Sequence, residues 1–175
     1  MTRALTRLGD IMQLAFVPSD FDGTIAHWLK AGAGPFFVLR NATFKEVAFN
    51  GRPTDVVLTV AFGYWGDMQI EILRQENDTP SVYTRWRAAG REGLHHVAIL
   101  VDDIEAAKTA CTQAGARLVL DATPPAGGAV IYAELTPDEP YVEFITGTPD
   151  RRKFYGSMRE AHRDWDGSNP IRFLN

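Results

Sequence analysis

The chain has 175 residues, 45% of them apolar and 23% charged, which suits one domain, or two small modules sharing a core, at roughly 150 residues per domain. Asp and Glu outnumber Lys and Arg by 22 to 18, so there is no excess of positive charge to meet nucleic acid. The single cysteine, Cys111, excludes an internal disulfide framework and a Cys-rich zinc cage, no apolar run is long enough to span a bilayer, and Met1–Arg7 has no signal-type apolar segment behind it, so the expectation is a soluble, reduced, cytoplasmic protein.

Taken in chain order, the predicted elements say the same thing twice. Ile11–Val17 reads as a strand, Asp20 stands at a helix start, and Gly32 stands where that helix stops. Pro35–Thr54 follows, with a strand-like stretch at Thr43–Phe49. Asp55–Gln75 predicts a strand, a turn at Tyr64-Trp65-Gly66-Asp67 and a returning strand; Gln75–Glu92 is a polar linker broken at Asn77-Asp78-Thr79-Pro80. From Leu94 the order repeats: a strand, a helix from Asp103 to Gly115, then a hairpin in Gly127–Gly147 that turns at Thr136-Pro137-Asp138-Glu139. Pro149–Ala161 predicts an amphipathic helix with Phe154, Met158 and Tyr155 facing the body, and Asn169–Leu174 is a tail apolar enough to dock.

The opening segments superpose at an offset of 83 residues, which sets Gln13 on His96, Ala15 on Ala98 and Asp20 on Asp103. The hairpins superpose at an offset of 72, setting Glu71 on Glu143, so the first copy carries 11 extra residues within Pro35–Thr54. The predicted fold class is α+β. Two βαβββ modules, 8–75 and 93–147, flank a linker at 76–92 and form a curved mixed sheet around a metal site, with 148–175 a C-terminal helix and tail.

Equivalent positions of a repeat converge when the copies pack about a pseudo-twofold axis. The polar residues that interrupt the apolar strands at such places are Gln13, His96, Glu71 and Glu143. Strand alternation groups Glu71 with Gln69 and Leu73, and Glu143 with Tyr141 and Ile145; it sends His95 and His96 to opposite faces, and the repeat selects His96. A carboxylate among large apolar neighbours is costly unless it is paired or holds a cation. Two carboxylates, an imidazole and an amide oxygen make a mixed nitrogen and oxygen set for a divalent metal.

With its two-copy plan, the chain resembles the vicinal oxygen chelate superfamily, which includes glyoxalase I, methylmalonyl-CoA epimerase, extradiol dioxygenases and the bleomycin- and fosfomycin-resistance proteins. The resembling segments are Asp10–Asp20, Met68–Leu73, Gly93–Ala107 and Pro140–Thr146, and the most telling run is Gly93-Leu94-His95-His96-Val97-Ala98. The resemblance covers residues 8 to 147. It implies Gln13, Glu71, His96 and Glu143 as metal ligands, a set similar to that of certain glyoxalase I enzymes, with zinc, nickel, cobalt or manganese as the ion. It also implies Glu143 as first choice of catalytic base and Glu71 as second. The epimerases place a histidine where this chain has Gln13, and use a glutamate that is not a ligand, for which Glu46 is a candidate without a supporting motif. The extradiol dioxygenases use two histidines and one glutamate, and the repeat supplies one histidine here. The expected activity is a metal-dependent lyase or isomerase/epimerase that abstracts a proton α to a carbonyl of a small organic substrate. Its alternatives are a metal-free small-molecule binding or resistance protein and a non-haem iron dioxygenase. A homodimer is the expected assembly, with no nucleic-acid or membrane partner.

The remaining chemistry-bearing residues have plainer readings. Cys111 is expected to pack in the core. His27 and His162 are expected as solvated helix residues, His162 turning inward if the tail folds over the pocket. Tyr64 and Trp65 are candidates to cover a pocket or a subunit contact, and Arg151-Arg152-Lys153 is a solvated face or a contact for a substrate anion.

Overall fold

A computed structural model describes residues 5–174. After a short 3-10 turn at Leu5–Arg7, the first module runs β1 (Gln13–Phe16), α1 (Phe21–Lys30), β2 (Phe36–Ala42), β3 (Glu46–Phe49), β4 (Arg52–Pro53), β5 (Leu58–Trp65) and β6 (Met68–Gln75). The helix α2 (Val82–Ala88) leads to the second module, β7 (Leu94–Val101), α3 (Ile104–Gln113), β8 (Arg117–Thr123), β9 (Val130–Glu134) and β10 (Tyr141–Thr146). The chain ends in α4 (Pro149–Arg163) and β11 (Ile171–Leu174). Among the described residues no helix is long and apolar enough to cross a membrane.

The two long helices of the repeat begin and end alike. Asp20 accepts a hydrogen bond from the Gly23 N–H, and Asp103 accepts from the N–H groups of Glu105 and Ala106, which satisfies amides that a helix start leaves bare. Gly32 and Gly115 follow the last turns at φ of 94° and 75°, a region that a side chain disfavours.

The strands form one mixed, curved α+β sheet in the order β11-β2-β5-β6-β1-β7-β10-β9-β8-β3-β4. Its middle carries the repeat in register. Strands β1 and β7 run antiparallel, Gln13 opposite Ala98 and Ala15 opposite His96, which is the pairing a twofold axis through Leu14 and Val97 requires at the offset of 83. Outside them, β6 runs parallel to β1 with Glu71 beside Ala15, and β10 runs parallel to β7 with Glu143 beside Ala98. All four candidate residues therefore lie on the innermost strands.

Both faces of the sheet are covered, so its strands are apolar nearly throughout. On the outer face α1 packs Phe21 and Ile25 against Phe36, Ile70 and Ile72, and α3 packs Ala107 and Cys111 against Ile99, Ile131 and Phe144. Cys111 is fully buried, and burial pushes its thiol up to about 11. On the concave face, α2 contributes Val82, Tyr83 and Trp86, and α4 contributes Met158 and Tyr155, to a core with Leu58, Val60 and Phe62.

Three features go beyond the sequence expectation. The linker contains α2, capped by Ser81, whose hydroxyl accepts from the Tyr83 and Thr84 N–H groups. The extra residues of the first module form β3 and β4, and β3 pairs with β8 of the second module. The tail docks as a strand: β11 runs parallel to β2.

Arg152 and Lys153 are exposed, as expected of a solvated face, while Arg151 is half-buried. Arg151 donates to the carbonyls of Thr146 and Gly127, and Arg152 to that of Gly147, which fixes the start of α4. His162 fixes its end: Nε2 accepts from the Gly66 N–H at 3.1 Å, and Nδ1 lies 2.6 Å from the Gly34 carbonyl oxygen.

Candidate metal centre

Glu71, His96 and Glu143 meet beneath the concave core. His96 Nε2 lies 3.2 Å from Glu71 Oε2 and 3.1 Å from Glu143 Oε2, and the ligand atoms of the three residues lie within 4.8 Å of one another. His96 is 0% exposed, Glu71 7% and Glu143 6%. Burial by itself would depress the His96 imidazole; the charges and hydrogen bonds of Glu143 and Glu71 outweigh it and lift His96 to about 9. Burial raises the Glu71 carboxyl, with Glu143 adding to the rise, while His96 and the adjacent Gln13 pull it back.

Gln13, on β1, stands beside the group and its side chain hydrogen-bonds Glu71. Its Nε2 donates to Gln69 Oε1 at 2.6 Å, and Gln69 Nε2 in turn donates to the Tyr64 hydroxyl at 2.9 Å. This chain fixes which way the Gln13 amide points. Its Oε1 is fully buried and has no hydrogen-bond partner. A buried carbonyl oxygen left bare is costly, and an amide oxygen is a donor type that suits a divalent cation; the Gln13 side chain itself hydrogen-bonds the Glu71 carboxyl.

His95 requires a correction. Alternation sends it to the face opposite His96, yet both are 0% exposed and their Nδ1 atoms lie 2.9 Å apart. The cause is a β-bulge: β1 pairs Ala15 with His96 and Phe16 with Leu94, so His95 is an extra residue on β7 and the alternation slips there. Its ring stacks on Tyr83, with centroids 5.1 Å apart and planes at 21°, and meets Trp86 and Tyr141 at 5.1 and 5.0 Å. Burial, and then the neighbouring His96, hold His95 well below the usual imidazole range.

The walls of the centre are aromatic. The Tyr132 hydroxyl lies 3.5 Å from His96 Nε2 and 2.9 Å from the Tyr83 hydroxyl. Phe62 sits opposite Glu71 in the β5–β6 ladder, and Tyr155 of α4 lies against Phe62 with ring centroids 6.0 Å apart. Tyr155 faces the body as the amphipathic pattern of its helix predicts, whereas Tyr83 escapes a reading confined to the repeat. The available signal for Tyr83 was Ser81-Val82-Tyr83-Thr84, a capping pattern followed by apolar residues.

Other sequence candidates lie elsewhere. Glu46 is exposed on β3, which β8 and β9 separate from β10, so it does not face the donors. Tyr64 is buried and bonded to Gln69, whereas Trp65 is exposed against Trp28. His27 is exposed, and His162 is not solvated as expected but holds the tail to the body.

With this geometry in view, the likenesses to known proteins have a physical counterpart. Residues 12–134 match the family model described as Glyoxalase/Bleomycin resistance protein/Dioxygenase superfamily. Among solved structures, a hypothetical protein from Bacillus halodurans superposes with a TM-score of 0.56 at 15% identity, over 79% of this chain and 94% of that one. A methylmalonyl-CoA epimerase from Mycobacterium tuberculosis gives 0.55 at 14%, over 87% and 96%. A variant of the Streptomyces coelicolor methylmalonyl-CoA epimerase, in complex with 2-nitronate-propionyl-CoA, gives 0.52 at 16%, over 81% and 96%. No curated protein matches significantly. The structural likenesses concern the fold, and the family match spans most of the repeat: the chain belongs to the glyoxalase/bleomycin resistance protein/dioxygenase superfamily.

Proposed function

We propose that this protein is a metal-dependent lyase or isomerase that removes a proton from the carbon next to a carbonyl of a small organic molecule. The observation behind this reading is the convergence of Glu71 and Glu143, one from each module, on the same nitrogen of His96, with Gln13 hydrogen-bonded to Glu71 beside them. Gln13, Glu71, His96 and Glu143 would hold a divalent ion, zinc, nickel, cobalt or manganese, and such an ion supplies Lewis acidity to a substrate oxygen that gains negative charge.

Glu143 takes the proton. The α-carbon–hydrogen bond breaks, its electron pair moves toward the carbonyl oxygen, and the proton passes to the Glu143 carboxylate. Glu71 is the second base, placed on the other module across His96. A proton removed by one carboxylate and returned by the other on the opposite side inverts the carbon, as an epimerase does; a proton returned to a neighbouring atom isomerises the substrate. Phe62, Leu73 and Tyr132 keep bulk water from the charged intermediate. An iron dioxygenase has less support, because the second imidazole, His95, faces His96 Nδ1 rather than the carboxylates.

The test is α-proton exchange. The protein, loaded separately with each of the four metals, is incubated in deuterated water with small α-hydroxyketones and branched acyl thioesters and followed by proton NMR. Metal-dependent exchange that a chelator stops is the expected result. Failure to retain any metal after reconstitution overturns the reading in favour of a metal-free binding protein. Oxygen uptake by the iron-loaded protein with a catechol, without exchange, overturns it in favour of a dioxygenase.

A further inference from the structure

We propose that His95 is a positioning residue for the centre, and that its Nδ1 accepts a hydrogen bond from His96 Nδ1–H and thereby presents the His96 Nε2 lone pair to a metal. The inference rests on the reading of Gln13, Glu71, His96 and Glu143 as a metal centre. Three observations carry it.

The first is distance and burial: the two Nδ1 atoms are 2.9 Å apart and both rings are 0% exposed, so no water competes for the contact. One nitrogen must donate and the other accept. The second is the surroundings of His96 Nε2, which faces two carboxylate oxygens at 3.1 and 3.2 Å. If His95 donated, neutral His96 would carry its only proton on Nε2, pointing at those carboxylates, and no cation could enter between them. If His96 donates, Nε2 is a free lone pair. The third is the mounting of His95. Tyr83 stacks on its ring, Trp86 and Tyr141 close in at 5.1 and 5.0 Å, and the bulge keeps the ring on this side of the strand. With Nδ1 accepting, His95 carries its proton on Nε2, a buried nitrogen without a close partner whose ring lies against the Val82 backbone. The aromatic cage holds the ring in place, and the Nδ1–Nδ1 contact sets the His96 tautomer, in the way that an outer hydrogen bond commonly does for a ligating histidine.

Two variants separate this role from packing. His95→Phe keeps a flat ring in the aromatic cage and removes the acceptor; His95→Asn supplies an amide oxygen near the place of Nδ1. Zinc affinity, measured by competition with a chromophoric chelator, is expected to fall about 10- to 100-fold in His95→Phe and to recover most of that loss in His95→Asn. Long-range proton–nitrogen NMR on the unmutated protein reads the tautomers directly. The expected pattern is His95 protonated on Nε2 alone, with or without zinc, and His96 protonated on Nδ1 when zinc is bound. Zinc binding by His95→Phe as tight as that of the parent, with its fold intact by circular dichroism, overturns the proposal; so does a proton found on His95 Nδ1. If the parent binds none of the four metals, the metal-centre reading fails by itself, and the NMR pattern of the metal-free protein still decides whether His95 accepts from His96.

Discussion

The two modules share a backbone plan and aim their inner donors by different means. In the first, Gln13 is held by an amide chain: it donates to Gln69, which donates to Tyr64 two strands away. In the second, His96 occupies the equivalent position, but the place of Gln69 falls to Tyr141, and the support comes instead from His95, brought onto the same face by a bulge. Duplication therefore preserves where a donor stands more faithfully than what orients it. A neutral amide needs one partner to settle its flip; an imidazole needs one to settle its tautomer, and each module supplies the partner its own donor requires.

The sharpest way to break this comparison is to disable one carboxylate at a time. Glu143→Gln is expected to lower α-proton exchange by about 10³-fold, and Glu71→Gln by less, as read from exchange rates in deuterated water at saturating metal. Equal losses would make the two glutamates equivalent and leave the pair without an assigned base.

Acidity offers the next largest effect. His96 stands at about 9 in the folded protein against 6.5 for an ordinary imidazole, so in the metal-free protein its stabilisation is fully present below 6.5 and is lost as pH rises through 9. The raised Glu71 carboxyl acts with the same sign. The metal-free protein is expected to lose on the order of 3 kcal/mol between pH 6 and pH 10 from His96, measured by urea unfolding at each pH. With metal bound the trend reverses, because the ion displaces the proton; zinc affinity is expected to rise with pH up to about 9.

Removing the amide support tests the first module alone. Gln69→Met removes the Gln69 acceptor of the buried Gln13 amide, with an expected cost of about 1–3 kcal/mol and a loss of zinc affinity from the freed Gln13; Tyr64→Phe should cost less. Arg152→Ala is the smallest: its partner Asp102 is 92% exposed, so unfolding should shift by about 0–1 kcal/mol with zinc affinity unchanged.

Much of this arrangement was legible in the chain. The offsets of 83 and 72 set Gln13 against His96 and Glu71 against Glu143, and the strand pairing runs at those offsets because a duplicated hydrophobic pattern has one register that buries both copies. Asp20 and Asp103 announced their helices through cap chemistry that is local. The bulge at His95 was not legible, since it is an agreement between two strands and leaves no mark on the alternation of one. Helix α2 was hidden by its brevity and charge: only Val82, Tyr83 and Trp86 of its seven residues are buried. The strand pairing of β11 depends on an edge that exists only once β2 is in place.

One consequence of the β3 insertion concerns how copies of this chain can associate. Because β3, which belongs to the first half by sequence, is laddered to β8 at the far edge of the second half through Glu46–Thr123 to Phe49–Leu120, the halves are buckled together at a point remote from the β1–β7 seam. Exchange of halves between two molecules would have to undo both fastenings at once. An exchange that left β3 behind would strip β8 of its ladder partner.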